Sequence, residues 1–447
     1  MVRAGRFSGT ADAPGDKSIS HRALILASLA TERCAVSHLA PGADVRSTAA
    51  CLKSLGAQIE MDAASGAVVT GCGLTRLQSP GAPLDCGNSG TTIRLLSGVI
   101  AGSAVGGVLD GDESLRRRPM KRVLEPLRAM GAKAQGSRGK GGDETAPLQF
   151  EPGKPLAGRS HELAVASAQV KSALLLAGLW AGGRTTVREP HRSRDHSERM
   201  LKAFGAPVQV LEGGAVSIAG PTAALHAPAQ LHVPGDASSA AFLVAAALMT
   251  PGGEVEVRGV NVNPTRIGFF KVLQRMGAIL ELTPEPDSAG EPVAAIKARE
   301  ASALLSTELA SAEIPSLIDE VPILSVLATQ ARGLTTIRGA AELRFKESDR
   351  IAQMARGLTA MGAEVEELDD GLRIRGPSRL HGARIDAASD HRIAMSFAVA
   401  GLIAEGETFI HGAEWADISF PGFFQLLSRL SGGAVSVSGE QRRPGRA

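Results

Sequence analysis

The chain is 447 residues long and 44% hydrophobic, with a formal charge of +2 and no tyrosine. That length is enough for two or more domains with proper cores. The near-neutral charge and few aromatics exclude the basic, aromatic-interleaved surface of a nucleic-acid binder, so any cationic concentration must be local.

From the N-terminus, the arginines near the start are followed by no apolar stretch of the secretory kind, which predicts a cytoplasmic protein. The first element opens at "PGDKSISHRALILA" (residues 14–27), where Lys17, Ser18, Ser20, His21 and Arg22 crowd the head of an apolar helix. Cations at a helix N-terminus oppose the macrodipole. Either an anion sits there or the charges are a solvated end. Cys34, Cys51, Cys72 and Cys86 form no C-x-x-C pair and read as reduced core thiols rather than metal ligands or a disulfide framework.

The same kind of element then recurs. "GNSGTTIRLLSGVIAG", "ASAQVKSALLLAGLWAGG", "GDASSAAFLVAAALM", "LIDEVPILSVLATQARG" and "SDHRIAMSFAVAGLIAEG" each follow a polar head with Ala, Leu, Ile and Val. Helices apolar nearly all round are buried ones, and these runs are too short to span a bilayer. After each comes an amphipathic helix that stops at glycine and leads into an alternating strand, as in "CLKSLGAQIE" and "LTAMGAEVEEL". The glycines are Gly56, Gly131, Gly205, Gly277, Gly362 and Gly433, at intervals of roughly 70–85 residues. That period predicts six copies of a small α+β unit. "PGDKS" at Pro14 returns as "PGDAS" at Pro234, so the copies group into two similar domains of three units, joined near those prolines. "GSRGKGGDE" and the tail "GEQRRPGRA" read as loops.

The polar heads carry the chemistry. The first half contributes Lys17, Ser18, Arg22, Asn88, Ser89, Gly90, Thr91, Arg94, Ser167 and Gln169, with Arg116, Arg117, Arg118, Lys121 and Arg122 in "GDESLRRRPMKR". The second half contributes Asp319, Glu320, Arg344, Lys346, Glu347, Arg350, Asp390, His391 and Arg392. Free N–H groups at helix starts, with Lys and Arg beside them, make sites for phosphate or carboxylate. Taken singly, "KESDR" reads as a solvated face with an internal Glu347–Arg350 pair. "RRRPMKR" reads as a surface run, and "DHRIAM" as a cap with a satisfied surface histidine. Their recurrence at unit heads favours a shared anion site. The histidines of "HRSRDH" are five apart, the wrong spacing for one helical face, and no P-loop, H-E-x-x-H or G-x-G-x-x-G is found. Neither a metal nor a cofactor is expected.

"PGDKSISHR", "GNSGTTIR", "RRRPMKRVLEPL", "ASAQVKSALLLAGL", "NPTR", "LIDEVPIL", "ELRFKESDR", "DHRIAMSF" and "ISFPGF" together, in this order, resemble the EPSP synthase family of enolpyruvyl transferases, in its class II-like branch. The resemblance runs from about residue 5 to about 435. It implies an inverse α/β barrel of two domains, each of three βαβαββ units with buried parallel helices. Residues 1–14 plus 235–447 would form one domain and 15–234 the other, with hinges near 14–16 and 233–236. The implied activity is transfer of the enolpyruvyl group of phosphoenolpyruvate to the 5-hydroxyl of shikimate 3-phosphate, by a monomer.

Carried over residue by residue, Lys17, Ser18, Arg22, Ser167, Ala168, Gln169, Arg194, Asp319 and Lys346 would hold shikimate 3-phosphate. Lys17, Gly90, Arg118, Gln169, Arg350 and Arg392 would hold phosphoenolpyruvate. Asp319, Glu347 and Lys17 would move protons. Two positions depart from much of the family: Ile418 stands where a Lys is common, removing a cation from the phosphoenolpyruvate clamp, and Glu342 where an Asn is. A sugar-nucleotide enolpyruvyl transferase and a non-catalytic binder of phosphorylated metabolites are the competing readings. The Arg-rich segment "DESLRRRPM" lacks the cysteine that marks the former.

Overall fold

The protein is described by a computed structural model covering residues 1–62, 65–153 and 155–437. Its α-helices come in pairs: α1 (Lys17–Leu29) with α2 (Ala43–Ser54), α3 (Gly90–Ser103) with α4 (Lys121–Ala129), α5 (Ala168–Gly178) with α6 (His196–Ala203). The second half repeats the arrangement with α7 (Ala237–Met249) and α8 (Gly268–Arg275), α9 (Val321–Ala328) and α10 (Arg350–Ala360), α11 (His391–Gly401) and α12 (Phe423–Leu430). The first member of each pair is the polar-headed element, and each is buried along most of its length.

Local sequence sets where these helices begin and end. Asp16 Oδ1 accepts from the Ile19 N–H, Ser89 Oγ from Thr92, Ser167 Oγ from Val170, Asp236 Oδ1 from Ser238 and Asp390 Oδ1 from Arg392. These side chains satisfy backbone donors that the helix itself leaves unpaired. Of the six polar-headed helices described, α9 alone lacks such a cap; it is entered through a 3-10 turn, Ile318–Glu320. The second helix of each pair stops at glycine. Gly56, Gly131, Gly205, Gly277 and Gly362 have φ between 79° and 107°, and the residue after each bonds back five residues, as Ala57 does to the Leu52 carbonyl. This geometry places the left-handed residue at the helix end, where a Cβ would be strained. In the sixth unit Gly432 occupies that place, with Gly433 bonding back to Ser428.

The strands form separate small sheets. Strand Arg33–Ser37 pairs in parallel with Gln230–His232 and antiparallel with Ala67–Thr70, so the last strand before Pro234 completes the first sheet of the chain. Likewise Ser8–Asp12 pairs in parallel with Glu254–Asn261. Among the described residues five sheets have four or more strands; the sixth has two, Arg384–Asp386 beside Phe409–His411. After Gly433 the described chain adds only the bridge of Val435 to Val2, where the sequence pattern predicts a strand. The "GSRGKGGDE" segment differs from expectation as well. Its ends lie in the paired strands Ala134–Arg138 and Glu144–Phe150, and only residues 139–143 form the connecting loop of that hairpin. The tail "GEQRRPGRA" lies outside the described residues.

Two hydrophobic cores result. One gathers Ile19 through Val233 around α1, α3 and α5; the other joins Val2–Ala13 to Ala237–Val435 around α7, α9 and α11. All four cysteines are buried free thiols. Helices α3 and α5 approach so closely that a Cβ on Gly98 would lie 2.1 Å from the Ala173 carbonyl oxygen, so only glycine fits there. Where the chain passes between cores, the Asp16 N–H donates to the Pro234 carbonyl and the Asp236 N–H to the Pro14 carbonyl. The two crossings therefore run side by side.

Candidate active site

A cavity of about 610 Å³ opens between the two cores, at the polar ends of the buried helices. Lys17, Ser18, Arg22, Gly90, Arg118, Ser167, Ala168, Gln169, Arg194, Asp319, Lys346, Glu347, Arg350 and Arg392 all line it. Every residue that the resemblance assigns to a substrate or a proton is thus brought to one wall or another, whereas Asn88, Ser89, Lys121, Glu320 and Asp390 of the same polar heads do not line it. Thr91 and Arg94 do line it. Arg116 and Arg117 do not: both are exposed and pair with Asp110 and Glu113 on the surface. Arg344 turns to Asp349 and Glu367.

On the first core's side, Lys17 Nζ stands 3.1 Å from Asp44 Oδ2. Burial opposes the lysine's charge, but Asp44 and Glu347 more than offset it, and its pKa is raised. Arg22 donates through Nε to Ser197 Oγ and through Nη2 to Ser172 Oγ, each at 2.7 Å. With hydroxyls rather than carboxylates for partners, burial pulls it down to about 10. Gln169 accepts from Arg94 Nη1 at 2.7 Å and donates to Thr91 Oγ1 at 3.0 Å, which fixes its amide.

On the second core's side, Arg350 is 1% exposed. It donates to Asp390 Oδ2 at 2.8 Å and Glu347 Oε2 at 2.6 Å, and its Nη1 is 3.5 Å from Asp319 Oδ1. The internal Glu347–Arg350 pair is real, but it is buried in the cavity wall. Arg392 donates to the Asp319 carbonyl at 2.9 Å, and Arg194 reaches across to Asp319 Oδ2 at 2.6 Å. Burial works against the Asp319 carboxylate, and Arg392, Arg194, Lys346 and Arg350 overcome it, so its pKa falls well below the ordinary range. Glu347 is driven the same way by Arg350 and Arg118, again against burial. Both are ionised at neutral pH, while Lys17 is protonated. Asp319 and Glu347 can therefore accept protons and Lys17 can donate one, in a cavity whose lining carries more cations than carboxylates.

Gly90, at the start of α3, leaves the room in which two guanidinium heads sit. A Cβ there would lie 2.9 Å from Arg94 Nη1 and 3.1 Å from Arg118 Nη1. Both atoms are ends of flexible side chains and give way, displacing the Arg118 donor. Gly90→Ala is expected to cost about 1 kcal/mol of anion binding at Arg118, roughly a fivefold loss of affinity, with little change in melting temperature. Calorimetric titration with a small phosphorylated carboxylic acid checks this.

Several participants escaped the sequence reading. Asp44 is the counter-ion of Lys17 but looks in sequence like an ordinary first-turn acid of α2. Arg266, in "NPTR", lines the cavity and bonds Asp236 and Glu320, each at 3.0 Å. His391, read above among the polar heads, does line the cavity, but it is buried rather than at the surface: it is 1% exposed, and burial pushes its pKa down to about 3. Ile418 does not line the cavity. Its carbonyl packs on Gly42, where a Cβ would meet it at 1.9 Å. Glu342 does line it.

Among the described residues, one group has metal-ligand spacing: Asp195, His196 and Glu291, buried, with ligand atoms within 4.8 Å of one another. Asn263 Nδ2 donates to both carboxylates at 2.6 Å, Arg199 Nε to Asp195 at 2.9 Å, and His196 Nδ1 is 2.8 Å from Glu291. With donors already on those oxygens, the cluster reads as a structural tie between the two cores.

The family model described as EPSP synthase (3-phosphoshikimate 1-carboxyvinyltransferase) matches residues 2–427. A protein of Synechococcus sp. (strain RCC307) named 3-phosphoshikimate 1-carboxyvinyltransferase is 52% identical over 433 residues, 95% of this chain and 97% of that protein. One of the same name from Brevibacillus brevis is 49% identical over 431 residues, 96% of this chain and 99% of its own. The solved structure of EPSP synthase from Acinetobacter baumannii superposes with a TM-score of 0.85 at 39% identity, covering 98% of this chain and 99% of that one.

Proposed function

The chain belongs to the EPSP synthase family, and from that premise we propose how its cavity carries the family's reaction. The chain transfers the enolpyruvyl group of phosphoenolpyruvate to the 5-hydroxyl of shikimate 3-phosphate, releasing phosphate, in the shikimate pathway to aromatic amino acids. The observation that carries the residue-level reading is the convergence of Lys17, Arg118, Arg350 and Arg392 on the same cavity as two ionised carboxylates, Asp319 and Glu347.

Both substrates are multiply anionic and repel each other in water. Fixed cations in a closed, low-dielectric cleft offset that repulsion before any bond changes. Arg118, Arg350 and Arg392, with Gln169, Lys17 and the space over Gly90, take phosphoenolpyruvate. Ser18, Arg22, Ser167, Ala168, Gln169, Arg194, Lys346 and Asp319 take shikimate 3-phosphate, with Lys17 between the two. Asp319 accepts the proton of the attacking hydroxyl as its oxygen bonds to C2 of phosphoenolpyruvate. Lys17 and Glu347 supply the proton that the methylene carbon gains. In the free site Glu347 is ionised because Arg350 and Arg118 face it. Substrate anions that neutralise those arginines raise its proton affinity, so Glu347 becomes able to shuttle a proton only when the site is filled. Elimination of phosphate then returns the methyl proton along the same route.

The six-unit pattern, the two cores and the paired crossings support an inverse α/β barrel with domains 1–14 plus 235–447 and 15–234, hinged near 14–16 and 233–236. The cavity is lined by groups from both cores of the chain, and we propose that the enzyme acts as a monomer. No helix among the described residues is long and apolar enough to cross a membrane. We propose a cytoplasmic location for the enzyme. A sugar-nucleotide acceptor and a non-catalytic binder are not favoured, given relatives near 50% identity that share one name. The test mixes the protein with shikimate 3-phosphate and phosphoenolpyruvate, adds no metal, and follows inorganic phosphate. Release dependent on both substrates is expected. Release with a sugar nucleotide instead, or none, overturns the reading.

A further inference from the structure

Among the described residues, three arginine–carboxylate pairs join cavity-lining side chains across the cleft. Arg194–Asp319 and Arg118–Glu347 use groups assigned above to substrates or protons. Incoming anions compete for those arginines, so neither pair is free to hold the cleft during turnover. The third pair is different. Arg122 Nη2, in the first turn of α4, donates to Glu342 Oε1 at 3.1 Å, and neither residue belongs to the substrate set.

Glu342 also answers a local excess of charge. Lys346 Nζ is 3.7 Å from the same carboxylate oxygen. Burial, then Arg122 and Arg118, pull Arg94 down to about 9, with Glu342 opposing. Although burial resists the charge on Glu342, Lys346, Arg122 and Arg94 hold it at about 2, so it stays ionised at any working pH.

We infer that the Arg122–Glu342 pair is a closure latch that persists with both substrates bound, and that Glu342 is a positioning residue for the Lys346 amine. The inference rests on the enolpyruvyl-transfer reading of the cleft. A latch acts on the population of the closed form, and apparent affinity scales with that fraction. Its loss therefore raises KM for both substrates. Saturating substrates bridge the cleft themselves, so kcat falls less. For a partly exposed pair the expected rise is roughly threefold to tenfold.

The experiment compares the wild type with Glu342→Gln, Arg122→Gln, the double variant and the charge-keeping Glu342→Asp. It measures kcat and both KM values by phosphate release, and the radius of gyration of the ligand-free protein by solution scattering. Each neutralising variant is expected to raise both KM values, with the double variant no worse than either single one and Glu342→Asp closer to wild type. Ligand-free Glu342→Gln should also be larger than wild type. Unchanged KM values, multiplying effects in the double variant, or an unchanged radius would overturn the latch. Failure of the wild type to release phosphate would instead defeat the reading of the cleft, and the scattering comparison would still decide the latch.

Discussion

Lys17→Met is expected to lower kcat/KM by roughly a hundredfold to a thousandfold, the loss typical of removing one fixed group that stabilises developing charge. Lys17 opens α1, where its ammonium faces the cavity between the arginines of both cores. Its raised pKa, set by Asp44 and Glu347 against burial, keeps it charged through the neutral range. Methionine matches the length of the stem and deletes only the charge and the proton donor. The same change strands Asp44, whose side chain is 10% exposed and loses its ion-pair partner. An unsatisfied buried polar group costs about 1–3 kcal/mol, so the single variant should melt earlier. Lys17→Met combined with Asp44→Asn separates the two effects: stability should return and activity should not. Activity above a tenth of wild type in a folded Lys17→Met protein would remove the lysine from the mechanism.

What the sequence revealed and what it concealed follow from the range of the interactions involved. The glycines at 56, 131, 205, 277 and 362 were readable because a left-handed helix end is a local demand, met within six residues. The polar heads were readable because a cap residue followed by an apolar run is also local, and the resemblance then told which heads bind what. Partners far along the chain were not. Asp44 is 27 residues from Lys17, Asp319 is 125 from Arg194, and Glu342 is 220 from Arg122. No periodicity connects such positions. The burial of His391 was unreadable for a related reason. Its neighbour Asp390 both caps α11 and binds the buried Arg350, which draws the whole helix start inward. Among the described residues the sixth unit has its two helices and a two-stranded sheet, and after Gly433 it reaches the bridge of Val435 to Val2, a contact 433 residues back along the chain.

Asp319→Asn should reduce kcat by roughly a hundredfold to ten-thousandfold, the usual range for losing a general base, with a smaller change in KM for shikimate 3-phosphate because the phosphate clamp remains. The pH dependence of stability gives a second, independent readout. Asp319 titrates well below its ordinary value of 3.8, held there by Arg392, Arg194, Lys346 and Arg350 in spite of burial. A depressed carboxyl pKa stabilises the fold above the unfolded value, and that stabilisation is lost as pH falls through the folded one. From pH 7 down to about 5 this group therefore contributes a constant amount. Below about 4 the unfolded chain takes up a proton that the folded chain refuses, and the contribution declines. Asparagine has no such term, so the variant should be less stable than wild type at neutral pH, with the gap narrowing as the solution is acidified below 4. Denaturant titrations at pH 7 and near pH 3 measure both ends. A gap that stays constant or widens on acidification would mean that the arginines around Asp319 do not hold it ionised, and with that its role as the waiting base would fall.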